Sequence, residues 1–287
     1  MIRNPNLFIV GAPKAGTTFL WVLLRDHEEV FFSKNPEKEI NFFSHEELLK
    51  ESYYKDYRIS DLKKYLNCFR KATNQKYIVD GSVSYFSYPT VPKKIHNFNP
   101  KAKVVVIIRN PIKRAISHYK MDVRMGYANK PLLSYIKNSE TYPSHYHQYI
   151  GNSMYGKHIN NYYKIFGKSN VFVMSLDFID DELVRLYDFL EIRNNSGDRK
   201  ENKKANTNKT PKNFISRFLQ HNRYITTLFK YISPKWLINI MSEILYKEAD
   251  EIIISNEEKY ILYNLFNHDI KKLKEITNIK LSYYEHK

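Results

Sequence analysis

The feature that most constrains this chain is a junction near its amino terminus. A mostly apolar run, Asn6 to Val10 (NLFIV), passes directly into GAPKAGTT and then into FLWVLLRDH, whose apolar residues fill one side of a helix. That change of period predicts a strand, a loop and a helix in this order. Such a junction aims backbone N–H groups and the positive end of a helix dipole at one spot, and a phosphate fits there. Gly11 and Gly16 have the separation of the glycines in a Walker A loop. Thr17, however, follows Gly16 where a nucleotide triphosphatase places lysine, and the lysine lies inside the loop as Lys14. A three-glycine dinucleotide fingerprint is missing as well.

Further β-rich runs come at Val30 to Ser33 (VFFS), Lys76 to Asp80 (KYIVD), Lys103 to Ile108 (KVVVII) and Val171 to Leu176 (VFVMSL). Helical stretches separate them, among them Gly156 to Phe166. This alternation predicts an α/β fold of three layers, P-loop-like, with a central parallel sheet flanked by helices and its ligand beyond the strands' carboxyl ends. With 287 residues, 43% of them hydrophobic, the chain is long enough to form a single domain. Its expected parts are a core at about 1–190, a polar Lys/Asn-rich loop or lid at about 194–213, and a helical part at about 214–287, where ISRFLQ and EKYILYNLF have amphipathic spacing.

Lys and Arg number 46 against 30 Asp and Glu, a formal net charge of +16. That balance favours an anionic partner such as a nucleotide, an acidic polysaccharide, a nucleic acid or a membrane surface, without choosing among them. Cys68 is the only cysteine, which excludes an intramolecular disulfide and a cysteine-based zinc site. The opening residues do not read as a signal peptide, and no long uncharged apolar stretch comes after them, so a soluble, cytoplasmic protein is expected.

The third β-rich run after the junction decides between nucleotide classes. A triphosphatase needs a Mg²⁺-holding carboxylate at the end of a neighbouring strand, whereas KVVVIIRN ends in Arg109. Arginine binds a second phosphate and repels a metal. Asn110 stands at the cap and Pro111 at the first position of the next helix, and Ser117, two turns in, is placed to supplement Arg109. A donor with two separate phosphate positions and no metal is the economical reading. A metal-dependent nucleoside kinase fails on the missing carboxylate and the displaced lysine. A polyanion-binding module without catalysis leaves both phosphate motifs unexplained.

GAPKAGTTFL resembles the 5′-phosphosulfate loop of the sulfotransferases that use 3′-phosphoadenosine 5′-phosphosulfate (PAPS), and VVVIIRNPIKRAISHY resembles their 3′-phosphate motif. The resemblance implies that Lys14, Ala15, Gly16, Thr17 and Thr18 hold the 5′-phosphosulfate and that Arg109 and Ser117 hold the 3′-phosphate. It runs on through MYGKHINNYYKIFGKSNVFVMSLDFIDD, to about residue 190. NTNKTPK is similar to the family's late cofactor-covering loop, which makes Asn208 and Lys209 nucleotide contacts. The product would be 3′-phosphoadenosine 5′-phosphate (PAP), with no metal involved.

Sulfotransferases acting on phenols and steroids carry a catalytic histidine before the Arg-bearing strand, where this chain has VDGSVSYFSYP. PEKEINFF instead resembles the KE-x-HFF stretch of the carbohydrate, heparan sulfate-type branch, whose glutamate takes the acceptor's proton. Glu39 is then the base, Lys14 stabilises the leaving oxygen, and Lys38, Asn41, Ser82 and Tyr85 line the acceptor cleft; His118 and His45 are the next candidates for the base. The implied acceptor is a saccharide or glycoconjugate, with a phenol or lipid hydroxyl as the alternative, and no nucleic acid. Asn41 replaces the branch's histidine, and Gly81 replaces the lysine of its EKSPSYF-like segment.

Overall fold

The computed structural model of the protein describes residues 3–33, 38–51, 59–194, 209–211, 246–248 and 252–282. Leu7–Gly11 (β1), Val30–Phe32 (β2), Tyr77–Asp80 (β3), Lys103–Ile108 (β4) and Val171–Ser175 (β5) form a 5-stranded sheet in the order β2-β3-β1-β4-β5, parallel throughout. Each strand lies within one residue of its predicted run. The helices are Thr17–Leu24 (α1), His45–Lys50 (α2), Leu62–Asn67 (α3), Val91–Phe98 (α4), Pro111–Met125 (α5), Leu132–Lys137 (α6), Pro143–Tyr149 (α7), Tyr155–Phe166 (α8), Ile179–Leu190 (α9) and Asn256–Ile276 (α10).

The sheet is buried on both faces because its strands are apolar on both faces. Alternation along β1 sends Leu7 and Ile9 into one cluster, where Leu20 and Leu24 of α1 and Leu183, Leu186 and Leu190 of α9 cover them. Phe8 and Val10 enter the other, beneath Ile95 of α4, Ala115 of α5, Ile159 of α8 and Leu262 and Phe266 of α10. In β4 the same rule divides Val105 and Ile107 from Val104, Val106 and Ile108. Three layers result. The chain leaves β1 toward one face and leaves β3 and β4 toward the other, so a crevice opens at the strands' carboxyl ends.

Side chains fasten the helix ends. Asn110 caps α5 by accepting the Lys113 N–H at 3.0 Å, and Pro111 is its first residue. Ser255 and Glu258 close a reciprocal capping box on α10, the helix that contains EKYILYNLF. Asp269 of α10 accepts the Gly156 and Lys157 N–H groups at 2.7 and 2.9 Å, so the start of α8 is held by a helix distant in sequence. Among the described residues no helix is long and apolar enough to cross a membrane.

Two short strands lie within the expected lid and helical part. Lys209–Pro211 (β6) pairs antiparallel with Tyr246–Glu248 (β7), Lys209 opposite Glu248. Strands of 3 residues are too short for alternation to be legible in sequence, and their pairing depends on a distant partner. Asn208 and ISRFLQ lie outside the described residues, and of Lys209 the backbone alone is described.

A Cβ added at Gly156 would stand 2.6 Å from the Asp269 carbonyl oxygen and 3.0 Å from the Leu273 nitrogen, both backbone atoms. Gly156→Ala is therefore expected to force α8 and α10 apart and to cost about 1–3 kcal/mol. Urea denaturation checks this, and an unchanged midpoint would show that the two helices are not so closely seated.

Candidate active site

The Gly11–Thr18 loop leaves β1 and bends over its end. Gly16 precedes α1 at φ 103°, a left-handed value that favours glycine, and a Cβ there would stand 2.9 Å from Leu176 Cδ1. Gly11 lets the chain pass over Phe86, whose Cβ would lie 2.6 Å from an added Cβ. Thr17 and Thr18 begin α1, where first-turn N–H groups have no intrahelical acceptor. Thr17 is buried and Thr18 exposed. Ala15 is an exception among the predicted anion donors: its N–H points back to the Ala12 carbonyl at 3.1 Å and its side chain is buried, so it shapes the loop.

Lys14, half-buried at φ 65°, sets its Nζ 3.3 Å from Met121 Sδ of α5, a weak acceptor. Burial lowers its pKa to about 8; the positive charges of Arg124, Arg114 and Arg109 add to that, while Asp122 opposes it. Arg109 closes the loop from the end of β4, its Nη1 donating to the Lys14 carbonyl at 3.3 Å. Its Nε is buried and has no hydrogen-bond partner among the described residues. Such a donor costs about 1–3 kcal/mol until an acceptor reaches it, and a phosphate oxygen suits this one. Ser117 lies half-buried on α5. The two predicted phosphate motifs therefore meet.

Glu39 reaches the same strand ends from another direction. Its N–H donates to the Gly81 carbonyl at 3.1 Å, and its Oε2 accepts from the Val83 N–H at 3.0 Å, so the turn is fastened beyond β3. Lys38 Nζ donates to Thr18 Oγ1 at 3.1 Å, which brings it to the glycine loop. Asn41, Ser82 and Tyr85, predicted in the acceptor cleft, are 1%, 0% and 0% exposed. Ser82 and Tyr85 donate to Asp80 at 2.6 and 2.8 Å, and Asn41 Oδ1 accepts from Ser84 at 2.7 Å. They support the Glu39 turn from beneath.

Neither alternative base is placed like Glu39. His118 is buried, its Nδ1 3.1 Å from Arg114 Nη1; burial, then the Arg114 and Lys14 charges, holds its pKa well below the usual range. It is therefore neutral at pH 7 and accepts from Arg114. His45 Nδ1 donates to the Phe42 carbonyl at 2.6 Å.

Two supports had no signal in the sequence. Asp177, after β5, accepts from the Asn110 N–H at 3.2 Å and from the Ser282 N–H at 3.3 Å, so the turn after Arg109 is tied to a distant part of the chain. Asp80 is the second: Tyr65 also donates to it, at 3.0 Å. Burial raises its pKa to about 6 against the pull of its three hydroxyl donors. Only a polar residue ending an apolar strand could have marked it.

Known proteins resemble this chain. It is 29% identical over 132 residues to the membrane-associated sulfotransferase kil1 of Dictyostelium discoideum, a match that covers 46% of this chain and 26% of that protein. It is 26% identical over 199 residues to heparan sulfate glucosamine 3-O-sulfotransferase 6 of Mus musculus, covering 67% of this chain and 53% of the relative. It thus spans no more than about half the length of either relative. A sulfotransferase crystal structure from Alicyclobacillus acidocaldarius shares the fold, with a TM-score of 0.71 over 98% of each chain at 21% identity. The model of the sulfotransferase domain matches residues 4–257, so the chain belongs to the sulfotransferase domain family.

Proposed function

We propose that this protein transfers a sulfuryl group from PAPS to an acceptor hydroxyl on a saccharide or glycoconjugate. The observation that carries the donor half is the meeting of Arg109 with the Lys14 loop, where a buried guanidinium Nε has no acceptor among the described residues. Lys14 and the first-turn amides of α1 take the 5′-phosphosulfate, and Arg109 with Ser117 takes the 3′-phosphate. Lys209 is assigned to cover the nucleotide, and Asn208 beside it. The donor supplies a sulfuryl group whose departure leaves negative charge on a phosphate oxygen. Lys14 and the amides meet that charge as preorganised donors. Glu39 takes the acceptor's proton as the general base.

The saccharide half rests on PEKEINFF and on similarity to a relative named for heparan sulfate glucosamine. Asn41 and Gly81 break that branch's pattern and favour a phenol or lipid hydroxyl as the second reading. PAPS labelled in its sulfate, offered with oligosaccharides, polysaccharides, phenols and lipids in parallel, separates the two. Label confined to phenols or lipids would overturn the saccharide assignment.

Arg109→Ala is expected to weaken PAP binding by about 2–5 kcal/mol, because it removes one side of a buried charge pair. Unchanged calorimetric affinity would remove Arg109 from the site. Glu39→Gln keeps shape and hydrogen bonding but not basicity, so turnover should fall by roughly 10²–10⁴ while PAP still binds. Full turnover would assign the base elsewhere.

Lys14 yields a pH dependence of defined sign. Its pKa in the free protein is lowered to about 8, and a bound anion favours its protonated form. Above that value PAP binding must take up a proton, so affinity is expected to fall by up to about tenfold per pH unit. Calorimetry at pH ~9 in buffers of different ionisation enthalpy reads an uptake approaching one proton. No uptake would show that Lys14 does not meet the anion.

A further inference from the structure

The turn that carries Glu39 is not a relaxed one. Glu39 and Asn41 both adopt φ 58°, a left-handed value that costs a side-chain-bearing residue free energy unless its surroundings hold it there. Two backbone N–H groups just past Glu39 are received by hydroxyls: Asn41 N–H by Ser82 Oγ at 3.0 Å and Phe43 N–H by Tyr85 Oη at 3.3 Å. A hydroxyl has one hydrogen to give, and the direction in which it gives it decides whether its lone pairs face the incoming N–H.

Both hydroxyls give that hydrogen to one carboxylate. Asp80, the last residue of β3 and 0% exposed, accepts Ser82 on Oδ1 at 2.6 Å and Tyr85 on Oδ2 at 2.8 Å. Tyr65 donates to Oδ2 as well, at 3.0 Å. At neutral pH the group is ionised even though burial raises its pKa to about 6, so it accepts only and turns every hydroxyl inward. The lone pairs of Ser82 and Tyr85 are thereby left toward Asn41 and Phe43. An asparagine at this position would present an NH₂ to one oxygen's partners, so a hydroxyl there loses its acceptor and must turn its hydrogen elsewhere, which loosens its hold on the backbone N–H.

We infer that Asp80 is a positioning residue for the transfer reaction, fixing the Ser82 and Tyr85 hydroxyls so that they hold the Asn41 and Phe43 amides and thereby set the Glu39 carboxylate beside the donor loop. The inference rests on the reading of Glu39 as the base. Glu39 is fastened to the residues flanking Ser82, through the Gly81 carbonyl and the Val83 N–H, so a shift of that segment moves the carboxylate directly.

The test compares Asp80→Asn, Ser82→Ala and Glu39→Gln, and adds Asp80→Asn in the Glu39→Gln background. Turnover is read with labelled PAPS and the acceptor of highest rate from the panel; PAP affinity is read by calorimetry. Asp80→Asn and Ser82→Ala are expected to lower kcat by about 10–100-fold with PAP affinity unchanged, the size of effect that a displacement of roughly 1 Å produces. In the Glu39→Gln background Asp80→Asn should add less than about threefold, since it acts through Glu39. Hydrogen exchange at the Asn41 and Phe43 amides should quicken in Asp80→Asn, a readout independent of the acceptor. Ser82→Thr, which keeps the hydroxyl, should restore most of the rate lost in Ser82→Ala.

Unchanged turnover in Asp80→Asn beside an impaired Glu39→Gln overturns the positioning role alone. An equal loss from Asp80→Asn in both backgrounds does the same. Full turnover in Glu39→Gln overturns the base reading and the inference with it. Should Asp80→Asn fail to fold, Ser82→Ala, which leaves the carboxylate in place, decides the matter by the same criteria.

Discussion

The parallel pairing of β1 with β4 is the contact on which the site depends. Its register runs from Leu7 opposite Lys103 to Gly11 opposite Val106. The two strands therefore end side by side, and the segments leaving them are set against each other. One strand delivers a glycine loop with a lysine inside it, and the other delivers Arg109. The Ala12 N–H donates to the Ile107 carbonyl at 2.7 Å, which carries the pairing into the loop itself. Both strands are apolar on both faces, so the helices that cover them leave only the strand ends for a ligand.

Positive charge gathers around Lys14 near those ends. The charges of Arg124, Arg114 and Arg109 all disfavour protonation of Lys14, burial disfavours it further, and Asp122 opposes them. A folded protein tolerates such a concentration at some cost in stability, and function is the usual reason for it. The buried Arg109 Nε, without an acceptor among the described residues, has the same meaning in terms of hydrogen bonds. An anion that reaches both relieves both, which links the local electrostatics to nucleotide binding.

On the side away from β4, the end of β3 has a different role. Asp80 gathers three hydroxyls in a buried pocket, and the Glu39 turn is built on two of them. The phosphate loop and this turn also meet above the sheet, where Lys38 reaches Thr18. Adjacent strands β1 and β3 thus carry the glycine loop and the Glu39 turn at the same end of the sheet.

How much of this was legible in the sequence varied with the range of the interactions. The strands, the glycine loop, the Asn110 cap and the Arg109 position were all readable, because burial of alternating apolar residues, a glycine's left-handed φ and a helix cap are local demands that leave local marks. The motif around Glu39 does not show what holds that turn. Asn41, Ser82 and Tyr85 looked like cleft residues because polar side chains near a motif suggest a surface. Only the packing shows them to be buried, with Ser82 and Tyr85 turned toward Asp80 and Asn41 toward Ser84. The pairing of Lys209–Pro211 with Tyr246–Glu248 and the fastening of Asn110 by Asp177 likewise join segments remote in sequence. The sequence alone determined the elements and the chemistry available at their ends. Tertiary structure decided which polar groups face the crevice and which lie beneath it, because a hydrogen-bond partner brought from a distant strand or helix leaves no periodicity behind.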